Sequence, residues 1–191
     1  MSNLSWNQAL ERLKEGNKRF AKDLLESKNT DSERRKHLIQ GQHPFAIILS
    51  CADSRVVPEM AFDTGLGELF VVRVAGNVAN TSSIASIEYA VANLDVQLIV
   101  VMGHENCGAV TAAIQGADAG PNLNQLVSLI KPAVDQSSDH SVNVVVKENV
   151  RLNSNALIEK SDIISAAVSG KNLKIVTAYY NLESGAVDFY I

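Results

Sequence analysis

The sequence has little of several residue types, and each shortage excludes a class of protein. Its 191 residues contain two cysteines, one tryptophan and no excess of positive charge, with a formal net charge of −4. Two cysteines are too few for a disulfide-rich secreted scaffold. The negative charge disfavours nucleic acid or an anionic membrane as the main partner. No apolar run approaches the roughly 20 residues that a membrane span needs.

The remaining composition is that of an ordinary globular protein. Hydrophobic residues make up 46% and charged residues 20% of the chain, which favours a single domain over residues 1–191 with one substantial core. Residues 1–6 lack the basic and apolar regions of a signal peptide, so we expect a cytoplasmic location. In that reducing compartment the two cysteines are read as buried thiols or as a metal-binding pair rather than as a disulfide.

Hydrophobic periodicity alternates along the chain between strand-like apolar runs and helix-like patterns. Strands alternating with helices predict an α/β fold with a mainly parallel central sheet flanked by helices. We expect four parallel strands and an antiparallel C-terminal edge strand, which a hairpin turn at 181–185 joins to the fourth. The predicted strands are 45–51, 69–75, 98–102, 174–180 and 186–190, and the predicted helices are 5–26, 32–40, 81–93, 107–115, 123–134, 142–160 and 162–168.

The N-terminal part of the chain is predicted to be a helical arm, residues 1–40, that precedes an α/β core, residues 45–191. The helix over 5–26 has only a narrow apolar stripe among many charged residues. Such a stripe fits packing on its own domain or on a second subunit. The pattern leaves both arrangements open.

Both cysteines lie close to the predicted ends of strands. Cys51 closes the first apolar run, and His104 and Cys107 follow the third. Because the carboxyl ends of neighbouring parallel strands meet at one edge of a sheet, we expect these three side chains to converge. Two thiolates and one imidazole form a zinc coordination shell with one open position, and an open position is typical of catalytic zinc. The sequence therefore predicts a zinc-binding core with an enzyme site.

Each of these residues also has a simpler interpretation. A cysteine is most often a small buried hydrophobe, and a histidine at a strand end often serves as a cap. The joint placement of Cys51, His104 and Cys107 favours the metal site. The other three histidines, His37, His43 and His140, lie in charged or polar segments and are predicted to be surface residues.

The motifs resemble those of the β-class carbonic anhydrases. Cys-x-Asp-x-Arg stands at 51–55 and His-x-x-Cys at 104–107, with further matching stretches at 67–73, 75–77 and 86–90 and a glycine at 108. The resemblance runs from Trp6 to the C-terminus. It implies one Zn²⁺ per subunit and a lyase that hydrates CO2 reversibly to bicarbonate and a proton through a zinc-bound hydroxide.

The resemblance also implies roles for the two charged residues after Cys51. Asp53 would accept a hydrogen bond from the hydroxide, and Arg55 would orient the Asp53 carboxylate. The same aspartate could instead bind zinc as a fourth ligand in a closed, inactive state. The simpler interpretation of Asp53 and Arg55 is a solvated surface pair that contributes little. Their place directly after a candidate metal ligand argues against it.

The family's substrate pocket corresponds to Gln42, Phe70, Tyr89 and the backbone N–H of Gly108. For Phe70 and Tyr89, ordinary core packing is an equally good interpretation of the sequence alone. Family members assemble as homodimers or as higher even oligomers such as tetramers, with the active site at the dimer interface. Gln42, Phe70 and Tyr89 would thus serve the zinc of the neighbouring subunit.

Two rival functions remain open at this point. Enzymes with the same zinc shell hydrolyse carbonyl sulfide or carbon disulfide, and no motif separates them from CO2 hydratases. The other rival is a non-catalytic zinc-binding or redox-sensing protein, which we would expect to lack Asp53, Arg55 or the open coordination position. We therefore predict an enzyme that acts on CO2 and bicarbonate and has no nucleic-acid or membrane partner.

Overall fold

A computed structural model describes residues 4–116, 118–170 and 172–190. Within these ranges, no helix combines the length and the apolar character that crossing a bilayer requires. The strands are β1 (Ala46–Ser50), β2 (Leu69–Arg73), β3 (Leu98–His104), β4 (Lys174–Tyr180) and β5 (Val187–Tyr190). The helices are α1 (Trp6–Phe20), α2 (Ser32–His37), α3 (Pro58–Ala61), α4 (Thr81–Asn93), α5 (Gly108–Gln115), α6 (Pro121–Ser128), α7 (Lys131–Gln136), α8 (Val142–Glu159) and α9 (Asp162–Ser169), and two 3₁₀ turns span Leu38–Gln40 and Ala75–Asn77.

The strands form one sheet in the order β2-β1-β3-β4-β5. β1 runs parallel to both β2 and β3, β3 runs parallel to β4, and β5 pairs antiparallel with β4. The predicted α/β class, with four parallel strands and an antiparallel C-terminal edge strand, is confirmed.

The two central strands are buried on both faces, which explains their continuous apolar runs. Alternate residues of β1 and β3 face opposite layers of helices, because successive side chains in a strand point to opposite sides. One layer contains α1 and α3, and the other contains α4, α8 and α9. Facing the first layer are Ile48, Val100 and Met102; facing the second are Ile47, Leu49, Ile99 and Val101.

The order of the strands reverses between β1 and β3. From β1 the chain passes to β2 on one side, and it then returns to place β3 on the other side. Ser50, the last residue of β1, lies opposite Met102 of β3. The carboxyl ends of these strands therefore form the topological switch point, the usual place for a ligand site in an open α/β sheet.

Helix α1 packs on its own chain, which is one of the two arrangements that the sequence left open. Leu10 and Leu13 are buried against the sheet. The buried Asn17 side chain donates to the carbonyls of Ala61 and Gly185 and accepts from the N–H of Val187. By contrast, α2 and the 3₁₀ turn that follows it bury none of their residues.

The predicted helix over 5–26 is too long, because α1 ends at Phe20. Asp23 adopts a left-handed backbone conformation with a φ of 58°. The next segment turns toward the carboxylate of Asp63, which accepts hydrogen bonds from the N–H groups of Glu26 and Ser27. A tertiary contact rather than a glycine or proline ends this helix.

The predicted helix over 123–134 is instead two helices, α6 and α7. Pro132 is the second residue of α7. It has no N–H to donate, and its ring would clash with the carbonyl four residues earlier, so one continuous helix cannot form.

Smaller differences concern the ends of the strands. β3 extends through His104 rather than ending at Met102, and β2 ends at Arg73 rather than at 75 because the turn around Gly76 follows. Helix α3 was not predicted from the sequence.

Candidate metal centre

Cys51 leaves the carboxyl end of β1 and is buried. Its sulfur accepts a hydrogen bond from the N–H of Gly76 at 3.3 Å. Gly76 has a φ of 69°, and a Cβ added there would lie 2.6 Å from Cδ1 of Ile130. Only glycine fits this close approach, which aims a backbone donor at the sulfur.

His104 is the last residue of β3, and its side chain is fully buried. Its Nδ1 lies 2.9 Å from the carbonyl oxygen of Glu105, so Nδ1–H donates and Nε2 carries the lone pair. Within the described part of the chain, this buried Nε2 has no hydrogen-bond partner. A histidine whose other nitrogen is tied to a carbonyl is typical of a metal ligand.

Cys107 is the N-cap residue of α5 and is buried. Backbone N–H groups of Ala109 and Val110, in the first turn of that helix, favour the ionised form of its sulfur. The helix dipole acts in the same direction. The short link from His104 to Cys107 thus delivers a second sulfur to the same point.

The three donors fit a zinc ion. The sulfurs of Cys51 and Cys107 are 3.9 Å apart, close to the ~3.8 Å that two Zn–S bonds of about 2.3 Å subtend at a tetrahedral angle. The ligand atoms of Cys51, His104 and Cys107 all lie within 4.8 Å of one another. Two thiolates and an imidazole suit zinc and do not suit magnesium or calcium, which prefer oxygen ligands.

The two thiols share a hydrogen bond. This bond from Cys107 lowers the pKa of the Cys51 thiol despite burial. The same hydrogen bond, together with burial, raises the pKa of the Cys107 thiol. A divalent cation would replace the shared proton and bind both sulfurs as thiolates.

Asp53 lies beside the donors and is held by Arg55. The guanidinium donates from Nε to Oδ1 at 2.9 Å and from Nη2 to Oδ2 at 2.8 Å, and the Arg55 backbone N–H also reaches Oδ1. These bonds keep the pKa of Asp53 well below its usual range. Oδ2 is 3.8 Å from Nε2 of His104, so an ionised acceptor stands at the edge of the cluster.

Two residues that donate hydrogen bonds to the backbone around the site were not predicted from the sequence. Arg73, at the end of β2, donates to the carbonyls of Cys51, Asp53 and Val56. Asn149 on α8 is buried and donates to the carbonyl of Gly76 at 2.8 Å. Arg73 stands within the matching stretch at 67–73, but its spacing from the ligands does not show what it contacts.

Gln42, Phe70 and Tyr89 lie near one another, away from the donors of their own chain. The rings of Phe70 and Tyr89 are 6.5 Å apart between centroids, and Gln42 and Tyr89 line a shared cavity of about 550 Å³. Phe70 pairs with Ile47 near the start of β1. Cys51 follows four residues later, roughly 13 Å along the strand at about 3.3 Å per residue.

Unlike Gln42, Phe70 and Tyr89, Gly108 lies next to the donor cluster of its own chain. It is the first residue of α5, directly after Cys107, and a Cβ added there would meet no atom within 4 Å. The space above its backbone is therefore open. His37, His43 and His140 are exposed, which confirms that prediction.

Fold and site together define an α/β protein with two thiols and an imidazole at the switch point of its sheet. A family model described as "Carbonic anhydrase" matches residues 46–187. Carbonic anhydrase 2 of Mycobacterium tuberculosis is 38% identical over 192 residues, which cover 97% of this chain and 93% of that protein. Carbonic anhydrase of Mycolicibacterium smegmatis is 37% identical over 191 residues, covering 92% and 89%.

Solved structures show the same class. The β-carbonic anhydrase CafA of Aspergillus fumigatus superposes with a TM-score of 0.75 at 27% identity, covering 96% of this chain and 89% of that one. The chain belongs to the β-class carbonic anhydrase family, an enzyme family, as its motifs predicted.

Proposed function

We propose that this protein is a zinc enzyme that converts CO2 and water reversibly to bicarbonate and a proton. The observation that carries the proposal is the grouping of Cys51, His104 and Cys107 around one point, with the Asp53 carboxylate beside it. Three protein donors leave one coordination position for a reacting molecule, as in other catalytic zinc sites.

The residues of the chain prepare this site for a nucleophilic oxygen. A zinc ion held by these donors would supply Lewis acidity for activating water near neutral pH. Two thiolates offset the charge of the ion, so less acidification is expected than with three neutral imidazoles. The Gly76 N–H and the start of α5 counteract this effect by withdrawing negative charge from the sulfurs.

Asp53 would orient the nucleophile. An ionised carboxylate only accepts hydrogen bonds, so Asp53 accepts one from an O–H group and leaves the oxygen lone pair for the carbon of CO2. Arg55 keeps the carboxylate ionised and fixes its plane through two parallel bonds. Movement of Asp53 from Arg55 onto the metal stays a prediction from the family resemblance.

We also propose that a second copy of the chain completes the substrate pocket. Tyr89 is 52% exposed and Ile39 is 81% exposed in the single chain, and both line the cavity that contains Gln42. Because this cavity lies far from the donors of its own chain, it serves catalysis only if it faces the donors of a partner. A homodimer is the smallest assembly that meets this condition.

Mixed dimers test the shared pocket. A Cys51→Ser subunit lacks a metal ligand, and a Gln42→Ala/Tyr89→Ala subunit lacks the pocket, so each homodimer should be inactive or strongly impaired. In a mixed dimer, the intact donors of the second subunit would face the intact pocket of the first. One working site per dimer should therefore return. Mixed dimers no more active than the two parents would show that each chain builds its own pocket.

Stopped-flow CO2 hydration by the zinc-loaded protein at pH 7 and pH 8.5 tests the activity itself. Asp53→Ala is measured alongside, with Asp135→Ala on the exposed side of α7 as a matched control. Fast hydration at the higher pH that collapses only in Asp53→Ala supports both the activity and the role of this residue. Absence of hydration in the wild-type protein with zinc bound would refute it and would call for assays with carbonyl sulfide and carbon disulfide.

A further inference from the structure

The segment 51–56 carries a metal donor and the Asp53 carboxylate but forms no regular secondary structure. Its internal hydrogen bonds close one turn, from the N–H of Val56 to the carbonyl of Asp53 at 3.0 Å and from the N–H of Arg55 to Oδ1 of Asp53 at 3.0 Å. These bonds shape the turn, but they do not fix it to the rest of the molecule.

Besides the bond from the Gly76 N–H to the Cys51 sulfur, Arg73 attaches the backbone of the segment from outside. Its Nε donates to the carbonyl of Cys51 at 3.0 Å, and its Nη2 donates to the carbonyls of Asp53 at 2.6 Å and Val56 at 2.8 Å. One planar guanidinium therefore binds the start, the middle and the end of the segment. Lysine, a single point donor on a flexible stem, cannot reproduce this fork.

The position of Arg73 shows that these bonds do more than hold two strands together. Backbone pairing already joins β1 and β2 up to the pair formed by Ser50 and Arg73, and the N–H of Val74 bonds to the carbonyl of Ser50. The side chain of Arg73 reaches past this last pair into the segment that bears the donors. Its contacts begin where strand pairing stops.

We propose that Arg73 is a positioning residue, which orients Cys51 toward the metal and Asp53 toward the nucleophile by binding three carbonyls of segment 51–56. The part that concerns Asp53 rests on the proposed CO2 hydration, whereas the part that concerns Cys51 does not. Partners outside the immediate ligand shell typically contribute about 10- to 100-fold to metal affinity or activity. We expect an effect of that size from Arg73.

The test uses the full-length chain with Co²⁺ as a spectroscopic probe. Arg73→Met removes all donors at similar length, Arg73→Lys retains the charge, and Arg151→Met removes a charge from the exposed face of α8. Thiolate-to-cobalt absorption and the affinity for Co²⁺ report on the two cysteines, of which Arg73 contacts only Cys51. The kcat and KM of the zinc-loaded protein for CO2 report on Asp53 and on substrate binding separately.

We expect Arg73→Met to bind Co²⁺ about 10- to 100-fold more weakly with an altered charge-transfer band, and to lose kcat rather than raise KM. Arg73→Lys should be intermediate, and Arg151→Met should match the wild type. Because Arg73 is exposed, added guanidinium ion should restore part of the signal in Arg73→Ala. This restoration would not follow from a general loss of stability.

Wild-type cobalt absorption, affinity and kcat in Arg73→Met would overturn the proposal. So would a folded Arg73→Ala protein whose losses guanidinium leaves unchanged. If the wild type fails to hydrate CO2, the proposed function fails, but the cobalt measurements still decide whether Arg73 positions Cys51.

Discussion

Replacing Gly76 with alanine perturbs the turn that aims a backbone donor at Cys51. The substitution adds one methyl group, keeps the N–H that reaches the sulfur, and changes no charge. Its effect therefore depends on two features of Gly76, the φ of 69° and the contact that a Cβ would make with Ile130. The best matched control is Gly116→Ala, because Gly116 has a φ of 64° and an added Cβ there meets nothing within 4 Å.

The two substitutions share one cost and differ in another. A left-handed backbone costs an L-residue about 1–2 kcal/mol, which applies to both positions. At Gly76 the new Cβ would also lie 2.6 Å from Cδ1 of the fully buried Ile130 and 3.3 Å from Cβ of Ala109. Overpacking of this kind costs about 1–3 kcal/mol. We expect Gly76→Ala to lower the free energy of unfolding by about 2–5 kcal/mol, and Gly116→Ala by about 1–2 kcal/mol.

Urea unfolding of the two variants and the wild type, at the same protein concentration, measures the difference in unfolding free energy. The proteins are metal-free, because bound metal would add its own binding energy. Competition with a zinc chelator measures affinity separately. Gly76→Ala should weaken zinc binding about tenfold or more by displacing the donor to Cys51, and Gly116→Ala should leave it unchanged. Equal losses of stability and unchanged zinc affinity in both variants would refute the steric reasoning.

Three further predictions concern other parts of the same framework. Cys107→Ser should reduce bound zinc, measured by elemental analysis after gel filtration, from one ion per chain to well below one. Asn149→Ala leaves the buried carbonyl of Gly76 without its donor and should lower the free energy of unfolding in urea by about 1–3 kcal/mol, whereas an unchanged midpoint would contradict that contact. Burial alone would raise the pKa of Asp63, but hydrogen bonds from Arg19 and two backbone N–H groups outweigh it and lower the pKa. Ionised Asp63 therefore stabilises the fold above about pH 4, and this contribution is lost as the pH falls. The difference in unfolding free energy between wild type and Asp63→Asn should shrink in acid.

The convergence of Cys51, His104 and Cys107 was predictable from the sequence because each of them adjoins the carboxyl end of an apolar strand. Parallel pairing of β1 and β3 then brings Cys51 next to His104 without any further information. The orientation of Asp53 was harder to predict from the sequence. Its contact with Arg55 is local, but its attachment to Arg73 depends on the register of β2 against β1.

Tertiary contacts account for the differences between the predicted and observed helices. The end of α1 depends on Asp63, which lies more than 40 residues away in sequence. The break between α6 and α7 has a local signal in Pro132, because proline interrupts a continuous helix. Local periodicity thus predicts that a helix exists more reliably than it predicts where the helix ends.

The location of Gln42, Phe70 and Tyr89 could not be predicted from the sequence without the three-dimensional structure. Residues at the start of β2 lie at the amino edge of the sheet, whereas the donors lie at the carboxyl edge. Counting residues from Cys51 does not show that these groups point to different regions of one chain. Whether they meet in an assembly stays a prediction for the mixed-dimer experiment.

The long separation of the two cysteines in sequence has a kinetic consequence. Cys51 and Cys107 are 56 residues apart, and closing a loop of that length costs on the order of 4 kcal/mol of chain entropy. An unfolded chain therefore offers a metal ion the neighbouring pair, His104 and Cys107, more readily than all three donors. The second sulfur arrives when β1 docks against β3. During refolding with Co²⁺ present, full thiolate-to-cobalt absorption should therefore time the moment at which the centre of the sheet forms.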